Sequence, residues 1–249
     1  MATRSPERVL PAAAVDVVIL AGGAGTRLVG HRKPKPLAEI GGRPLLGHVL
    51  AQFEAAGFRR IVVALGHGGS VIREWFGERD LWSERSLDVE LVDTGTDAGT
   101  GGRIARLGPQ LTPTFMVANA DGLSTIDLVG MLAFHADHGR LATVAAVRPA
   151  PRFGYLTIDG AHRVAGFAEK SPTAAGWING GYWVLNRAAL DGIEGDAAGL
   201  EHDLAPGLAV NGELMAYTHD GFWDCVDTPG DLEALQARWD VGDAPWRVD

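Results

Sequence analysis

The chain has 249 residues, 46% hydrophobic and 21% charged, an ordinary folded-domain composition that excludes a disordered or low-complexity chain. A formal net charge of −9, with no Lys or Arg run longer than Arg59-Arg60, leaves no basic footprint for DNA, RNA or an anionic membrane. Cys225 is the one cysteine, so an internal disulfide is excluded; with no membrane-length apolar run and no targeting signal, the expected location is the cytoplasm.

Residues 1–14 read as a loose tail and 15–249 as one domain. Val17-Val18-Ile19-Leu20 is apolar and rich in β-branched residues, and Gly22-Gly23 stop it, the pattern of a parallel strand covered on both faces. From Leu45 to Ala56, Leu46, Val49, Leu50 and Phe53 recur on one helical face, and Gly57 closes the helix. Ile61–Leu65 reads as a strand. The alternation continues with a helix over Val71–Phe76, a strand at Val89–Val92, a helix at Arg103–Leu107 and a strand at Phe115–Ala118. A helix at Leu128–His138 and a strand at Ala142–Val147 follow. This spacing predicts an α/β fold with a Rossmann-like, mostly parallel mixed sheet flanked by helices. Beyond it the grammar changes. Tyr155–Ile158, Val164–Phe167, Gly181–Leu185, Leu214–Tyr217 and Phe222–Val226 are short strands between turns, with helices near Arg187–Gly192 and Glu201–Val210. They predict added antiparallel strands in the C-terminal half, forming a wall beside the sheet.

The richest stretch is Leu20-Ala21-Gly22-Gly23-Ala24-Gly25-Thr26-Arg27-Leu28, followed by Lys33-Pro34-Lys35-Pro36. Glycines after a strand let backbone N–H groups approach and surround an anion. A dinucleotide fingerprint would need glycine where Leu28 stands, and a Walker loop needs the absent Gly-Lys-Ser/Thr. Arg27 and Lys35, a forked guanidinium and a mobile ammonium, suit a triphosphate; the bland alternative is a glycine turn with solvated cations.

Two acids carry the next inference. The apolar strand Phe115–Ala118 runs into Asn119-Ala120-Asp121-Gly122, so the Asp121 carboxylate stands at the end of a buried strand, where ligands of open α/β sheets bind, and Asp227 stands in Val226-Asp227-Thr228-Pro229, after Phe222-Trp223 and just before a helix. Hard oxygen donors suit Mg²⁺, which takes one or two carboxylates and completes its shell with phosphates and water. Each acid has a local reading too: Asp121 as a turn residue before Gly122, Asp227 as an N-cap before Thr228-Pro229. His135 and His138 lack a third metal ligand and read as an exposed helix face, and Cys225 as a small packing residue.

Further stretches run in order through the chain: Glu39-Ile40-Gly41-Gly42, Val92-Asp93-Thr94-Gly95, Thr100-Gly101-Gly102-Arg103, Arg152-Phe153-Gly154, Glu169-Lys170, Ile178-Asn179-Gly180-Gly181, Gly212-Glu213-Leu214-Met215-Ala216, Gly221-Phe222-Trp223 and Ala244-Pro245-Trp246. With the glycine loop and the Lys-Pro pairs, they make a chain that resembles the sugar-phosphate nucleotidyltransferases, and within them the glucose-1-phosphate cytidylyltransferases. The resemblance implies an enzyme that joins a nucleoside triphosphate, CTP, to a sugar 1-phosphate, glucose 1-phosphate, releasing pyrophosphate. It further implies a homo-oligomer. By this resemblance Leu20, Ala21, Gly22, Gly23, Gly25, Thr26 and Ala120 would hold the nucleotide, and Arg27 and Lys35 its phosphates. Thr100 and Arg103 would lie near the base or phosphates. Gly154, Glu169, Lys170, Asn179 and Gly180 would line the sugar-phosphate pocket, and Asp121 and Asp227 would hold Mg²⁺. Arg27, Lys35 and Asp121 are the catalytic candidates.

The chain departs from that pattern where Asn119-Ala120-Asp121 replaces Tyr-Gly-Asp and Thr228-Pro229-Gly230-Asp231 replaces a Thr-Leu-Arg-Asp-like run. The segment between Trp75 and Val92 is also shorter than in the family. A guanylyl- or thymidylyltransferase for another sugar phosphate therefore stays open, as does, from a different class, a non-catalytic nucleotide-sugar-binding regulatory module.

Overall fold

The structure, a computed structural model, describes residues 10–23, 33–78, 86–149, 155–168 and 176–248. The first half runs β1 (Asp16–Leu20), β2 (Glu39–Ile40), β3 (Arg43–Pro44), α1 (Leu45–Ala55), β4 (Arg60–Leu65), α2 (Gly69–Glu78), β5 (Asp88–Asp93), α3 (Thr100–Leu107) and β6 (Thr114–Asn119). The second runs β7 (Gly122–Ser124), α4 (Leu128–His138), β8 (Ala142–Val147), β9 (Tyr155–Ile158), β10 (Val164–Ala168), β11 (Ile178–Asn186), α5 (Ala205–Val210), β12 (Leu214–His219), β13 (Trp223–Cys225) and α6 (Pro229–Asp240).

One seven-stranded sheet, in the order β12-β8-β11-β6-β1-β4-β5, carries the molecule. β11 alone in it runs antiparallel to its neighbours β6 and β8. The mostly parallel mixed sheet predicted from the sequence is therefore present, with one difference. β12, expected among the antiparallel additions, pairs parallel with β8 at the edge. The other antiparallel pairs are small and lie outside the main sheet: β9 with β10, β7 with β13, and β2 with β3.

β1 is apolar throughout because both its faces are covered. Val17 and Ile19 pack under Leu46, Val49, Leu50 and Phe53 of α1 and Met131 of α4, while Val18 faces Ile104 and Leu107 of α3. A third cluster, Ala38, Ile40, Leu45, Leu123, Val226, Leu235 and Trp246, glues α6 and the β7–β13 pair to the β2–β3 hairpin. Leu10 and Ala12, assigned to the loose tail by the sequence, pack on the main core, and Ala12–Ala14 form one 3₁₀ turn. The helix expected over Glu201–Val210 is split: Leu200–Leu204 is a π turn, and α5 begins only at Ala205. Pro206 has no N–H to continue an α ladder through that point.

His135 and His138 are not an exposed pair. His135 is buried, and a ring nitrogen of each lies within hydrogen-bond distance of the single hydroxyl of Thr143 on β8, at 2.9 and 2.7 Å. Such an arrangement ties α4 to the sheet, and among the described residues no third His, Cys, Asp or Glu joins the pair as a metal ligand.

His48 of α1 is also buried, with Nε2 2.9 Å from the Ile40 carbonyl and its ring edge-on to Trp239 of α6. Burial pushes its pKa down to about 4. Between about pH 6.5 and pH 4 the unfolded chain binds a proton at His48 that the folded chain refuses, so stability falls as pH drops through that window, by up to about 3 kcal/mol, and levels off below it. Urea denaturation at pH 7 and pH 4.5 checks this: His48→Gln should lose less stability on acidification than the parent, and equal losses in the two proteins would refute the assignment.

Candidate functional site

β1 and β6 lie side by side, and Leu20 and Asn119 are register partners at their carboxyl ends. From β1 the chain next adds β4 on one side, whereas beyond β6 lies β11 on the other, so the order reverses between them. Such a reversal opens a crevice above the strand ends. Here it is a cleft of about 460 Å³.

One wall is built by a very short pairing. β7 and β13 are antiparallel with Cys225 opposite Gly122, and the Val226 N–H donates to the Asp121 carbonyl at 3.2 Å. That register sets the residues flanking the pair, Asp121 and Asp227, side by side although 106 positions separate them in sequence. Asp227 does not cap α6; Thr228 does, in a reciprocal capping box with Asp231. Lys35, in a 3₁₀ turn over Lys35–Leu37, places Nζ 2.6 Å from Asp121 Oδ2 and 2.7 Å from Asp227 Oδ1. Burial disfavours its charge, but the two carboxylates outweigh that and hold its pKa above the usual lysine value. The cation is therefore fully charged at neutral pH.

Two carboxylate oxygens meeting one ammonium mark a position where a single cation sits, and their hardness suits Mg²⁺. Among the described residues no group of three or more His, Cys, Asp or Glu side chains is placed to hold a metal. Mg²⁺ completed by substrate phosphates and water needs no such cage.

Of the residues singled out by the sequence, Leu20, Ala21, Gly22, Gly23, Lys35, Thr100, Arg103, Ala120, Asp121 and Asp227 all line this cleft. Gly25, Thr26, Arg27, Gly154, Glu169 and Lys170 lie outside the described residues. Asn179 and Gly180 do not line the cleft but abut it: the Trp223 indole donates to the Gly180 carbonyl at 2.8 Å, and the next residue, Gly181, sits against the Asn119 side chain with φ +76°.

Arg103 is buried, and its guanidinium is spent inside the protein. It donates to the carbonyls of Gly22, Leu65, Gly95 and Thr96 and to the Thr94 hydroxyl, at 2.7 to 3.4 Å. Those groups terminate β1, β4 and β5, so one side chain ties together the ends of three strands. A Cβ on Gly22 would collide with this guanidinium and lie 2.9 Å from the Gly66 nitrogen, which is why glycine stands there.

Sequence reasoning missed Ala98, Gly99, Asn119 and Glu201 as lining residues. Glu201 reads as the first residue of a helix, and no spacing ties it to the glycine loop. Burial pushes the Cys225 thiol up to about 12, aided by Asp227, Asp121 and Asp224, so it stays protonated and unreactive, as expected of a packing residue.

The fold and the site together define an α/β protein in which the glycine turn after β1 and an acid pair bridged by Lys35 open onto one cleft at the strand ends of a mostly parallel sheet. The family model described as nucleotidyl transferase matches residues 16–237. The chain belongs to this nucleotidyl transferase family. It is 38% identical over 256 aligned residues to a glucose-1-phosphate cytidylyltransferase of Salmonella typhi, covering 94% of this chain and 99% of that protein. It is 34% identical to a probable glucose-1-phosphate cytidylyltransferase of Bacillus subtilis, covering 94% of this chain and 100% of the relative. Among solved structures, HddC from Yersinia pseudotuberculosis complexed with GMP-PN superposes with a TM-score of 0.71 at 25% identity, covering 90% of this chain and 99% of that one.

Proposed function

We propose that the chain condenses a nucleoside triphosphate with a sugar 1-phosphate to give a nucleotide sugar and pyrophosphate, with CTP and glucose 1-phosphate as the pair. The observation that carries the reading is Lys35 held between Asp121 and Asp227 at the rim of the glycine turn. The similarity to cytidylyltransferases along nearly the whole chain supports the choice of substrates.

The reaction is an in-line attack by a phosphate oxygen of the sugar 1-phosphate on the α-phosphorus, with pyrophosphate leaving. The nucleophile is already an anion near neutral pH, so no general base is needed, consistent with a cleft lining that among the described residues holds no histidine. The turn after β1 offers backbone N–H groups to the phosphates, and Lys35 offsets negative charge on the departing pyrophosphate. Arg27 is assigned the second phosphate cation. Asp121 and Asp227 would hold Mg²⁺, which when bound polarises phosphate oxygens. Asn179 and Gly180, beside the cleft, belong to the sugar-phosphate side with Gly154, Glu169 and Lys170.

Exposed Leu156, Ile158 and Phe167 on the β9–β10 hairpin support self-association as a homo-oligomer, since a lone two-stranded ribbon is marginally stable in water. The acidic charge and the free thiol favour a cytoplasmic protein without nucleic-acid or membrane partners. Among the described residues no helix is long and apolar enough to cross a membrane.

A second reading, a guanylyltransferase for another sugar phosphate, is favoured by the likeness to HddC complexed with GMP-PN. A matrix of triphosphates against sugar 1-phosphates, read by pyrophosphate release, separates the two. The highest kcat/KM is expected for CTP with glucose 1-phosphate; GTP with another sugar would select the second reading, and no release from any pair would mean a non-catalytic binding module.

A further inference from the structure

Within the cleft the acids and Lys35 mark a charged side beyond β6, whereas Ala98, Gly99 and Thr100 follow β5, three places across the sheet. Strands stand about 4.8 Å apart, so these sides are separated by a distance of the order of a nucleotide's length from phosphate to base. Phosphates at the acids leave the base at the Ala98–Thr100 side. There the cleft holds one carboxylate, Glu201.

Glu201 is placed firmly. Gly99 and Gly101 pack without a Cβ against the backbone of residues 197–199, which sets Leu200 and Glu201 beside the start of α3. The Thr100 hydroxyl accepts from the Leu200 N–H at 2.8 Å and donates to Glu201 Oε2 at 2.9 Å. Among the described residues no donor reaches Oε1. The result is a fixed acceptor facing a site for a flat heterocycle, with no catalytic task in the chemistry above.

Building on the proposed nucleotidyl transfer, we propose that Glu201 is the base-selecting residue and favours bases with an amino group on the pairing edge, cytosine or guanine, over uracil and thymine. An ionised carboxylate only accepts hydrogen bonds. Cytosine offers its 4-amino group, and guanine offers N1–H with its 2-amino group. Uracil and thymine offer one N–H set between two carbonyl oxygens, which the carboxylate repels. Acceptor contacts of this kind discriminate by roughly 10- to 100-fold.

The test compares the parent with Glu201→Gln, whose amide oxygen can still accept from Thr100 while its NH₂ donates. Kd values for CTP, GTP, UTP and dTTP are measured by calorimetry without sugar phosphate, alongside kcat/KM where turnover occurs. The parent should bind CTP or GTP at least about tenfold more tightly than UTP and dTTP, and the variant should lose most of that ratio. An equal loss for every base, the mark of a structural role, or a parent indifferent to the base would overturn the proposal. Absence of turnover would instead count against nucleotidyl transfer, because binding reads base preference by itself.

Discussion

Asp121→Asn should lower kcat by at least about 100-fold while leaving the fold intact, because it replaces one of the two charges that define the cation position with a neutral amide of the same shape. Removing one electrostatic partner of a phosphate transition state costs about 3 to 4 kcal/mol, roughly two to three orders of magnitude in rate. The side chain is 27% exposed and its ion pair with Lys35 is partly solvated, so stability should change by less than about 1 kcal/mol. Asp227→Asn should behave alike. Pyrophosphate release with thermal melting checks both: a rate within threefold of the parent would detach the acids from the chemistry, and a collapsed melting transition would make them structural.

The largest expected stability effect lies at Arg103. Arg103→Leu removes every donor from a group bonded to four carbonyls and one hydroxyl; the Gly22 and Leu65 carbonyls keep donors from His67 and Thr94, whereas the Gly95 and Thr96 carbonyls lose their guanidinium donor. Each such loss costs about 1 to 3 kcal/mol, so a loss of roughly 3 to 5 kcal/mol is expected once local relaxation is allowed for. Arg103→Lys, which keeps the charge and fewer donors, should recover part of it. Urea unfolding at constant pH measures both. A loss below about 1 kcal/mol in the leucine variant would mean that the guanidinium does not hold the strand ends together. Because the Gly22 carbonyl is among its acceptors, the lysine variant should also raise KM for the triphosphate more than it lowers kcat.

Arg103 also illustrates the limit of reading residues in order. An arginine after Thr100-Gly101-Gly102 has the local look of an anion ligand, and the resemblance places it near the base or phosphates. Within the protein its guanidinium serves carbonyls at the ends of β1, β4 and β5, and carbonyl groups leave no trace in a sequence because every residue has one. Glu201 escaped notice for a related reason: its significance depends on the glycines at 99 and 101 accepting the backbone of residues 197–199, a contact across about a hundred positions.

What the sequence determined by itself is whatever short-range chemistry enforces. Val17 to Leu20 had to be a doubly covered strand, because an unbroken apolar run leaves no face for water. The helix Leu128–His138 is bounded by local chemistry, by Asp127, whose side chain accepts from the Gly130 N–H at 2.8 Å, and by Gly139 in the left-handed conformation. The order of strands and helices then implied a mostly parallel sheet. Only the tertiary structure decided that Asp121 and Asp227 share a cation, that β12 runs parallel, and that one arginine binds three strand ends. The acids meet through β7 and β13, pairs of three-residue strands too short to show periodicity, and their register is set by the apolar cluster of Leu123, Val226, Leu235 and Trp246 rather than by any local preference.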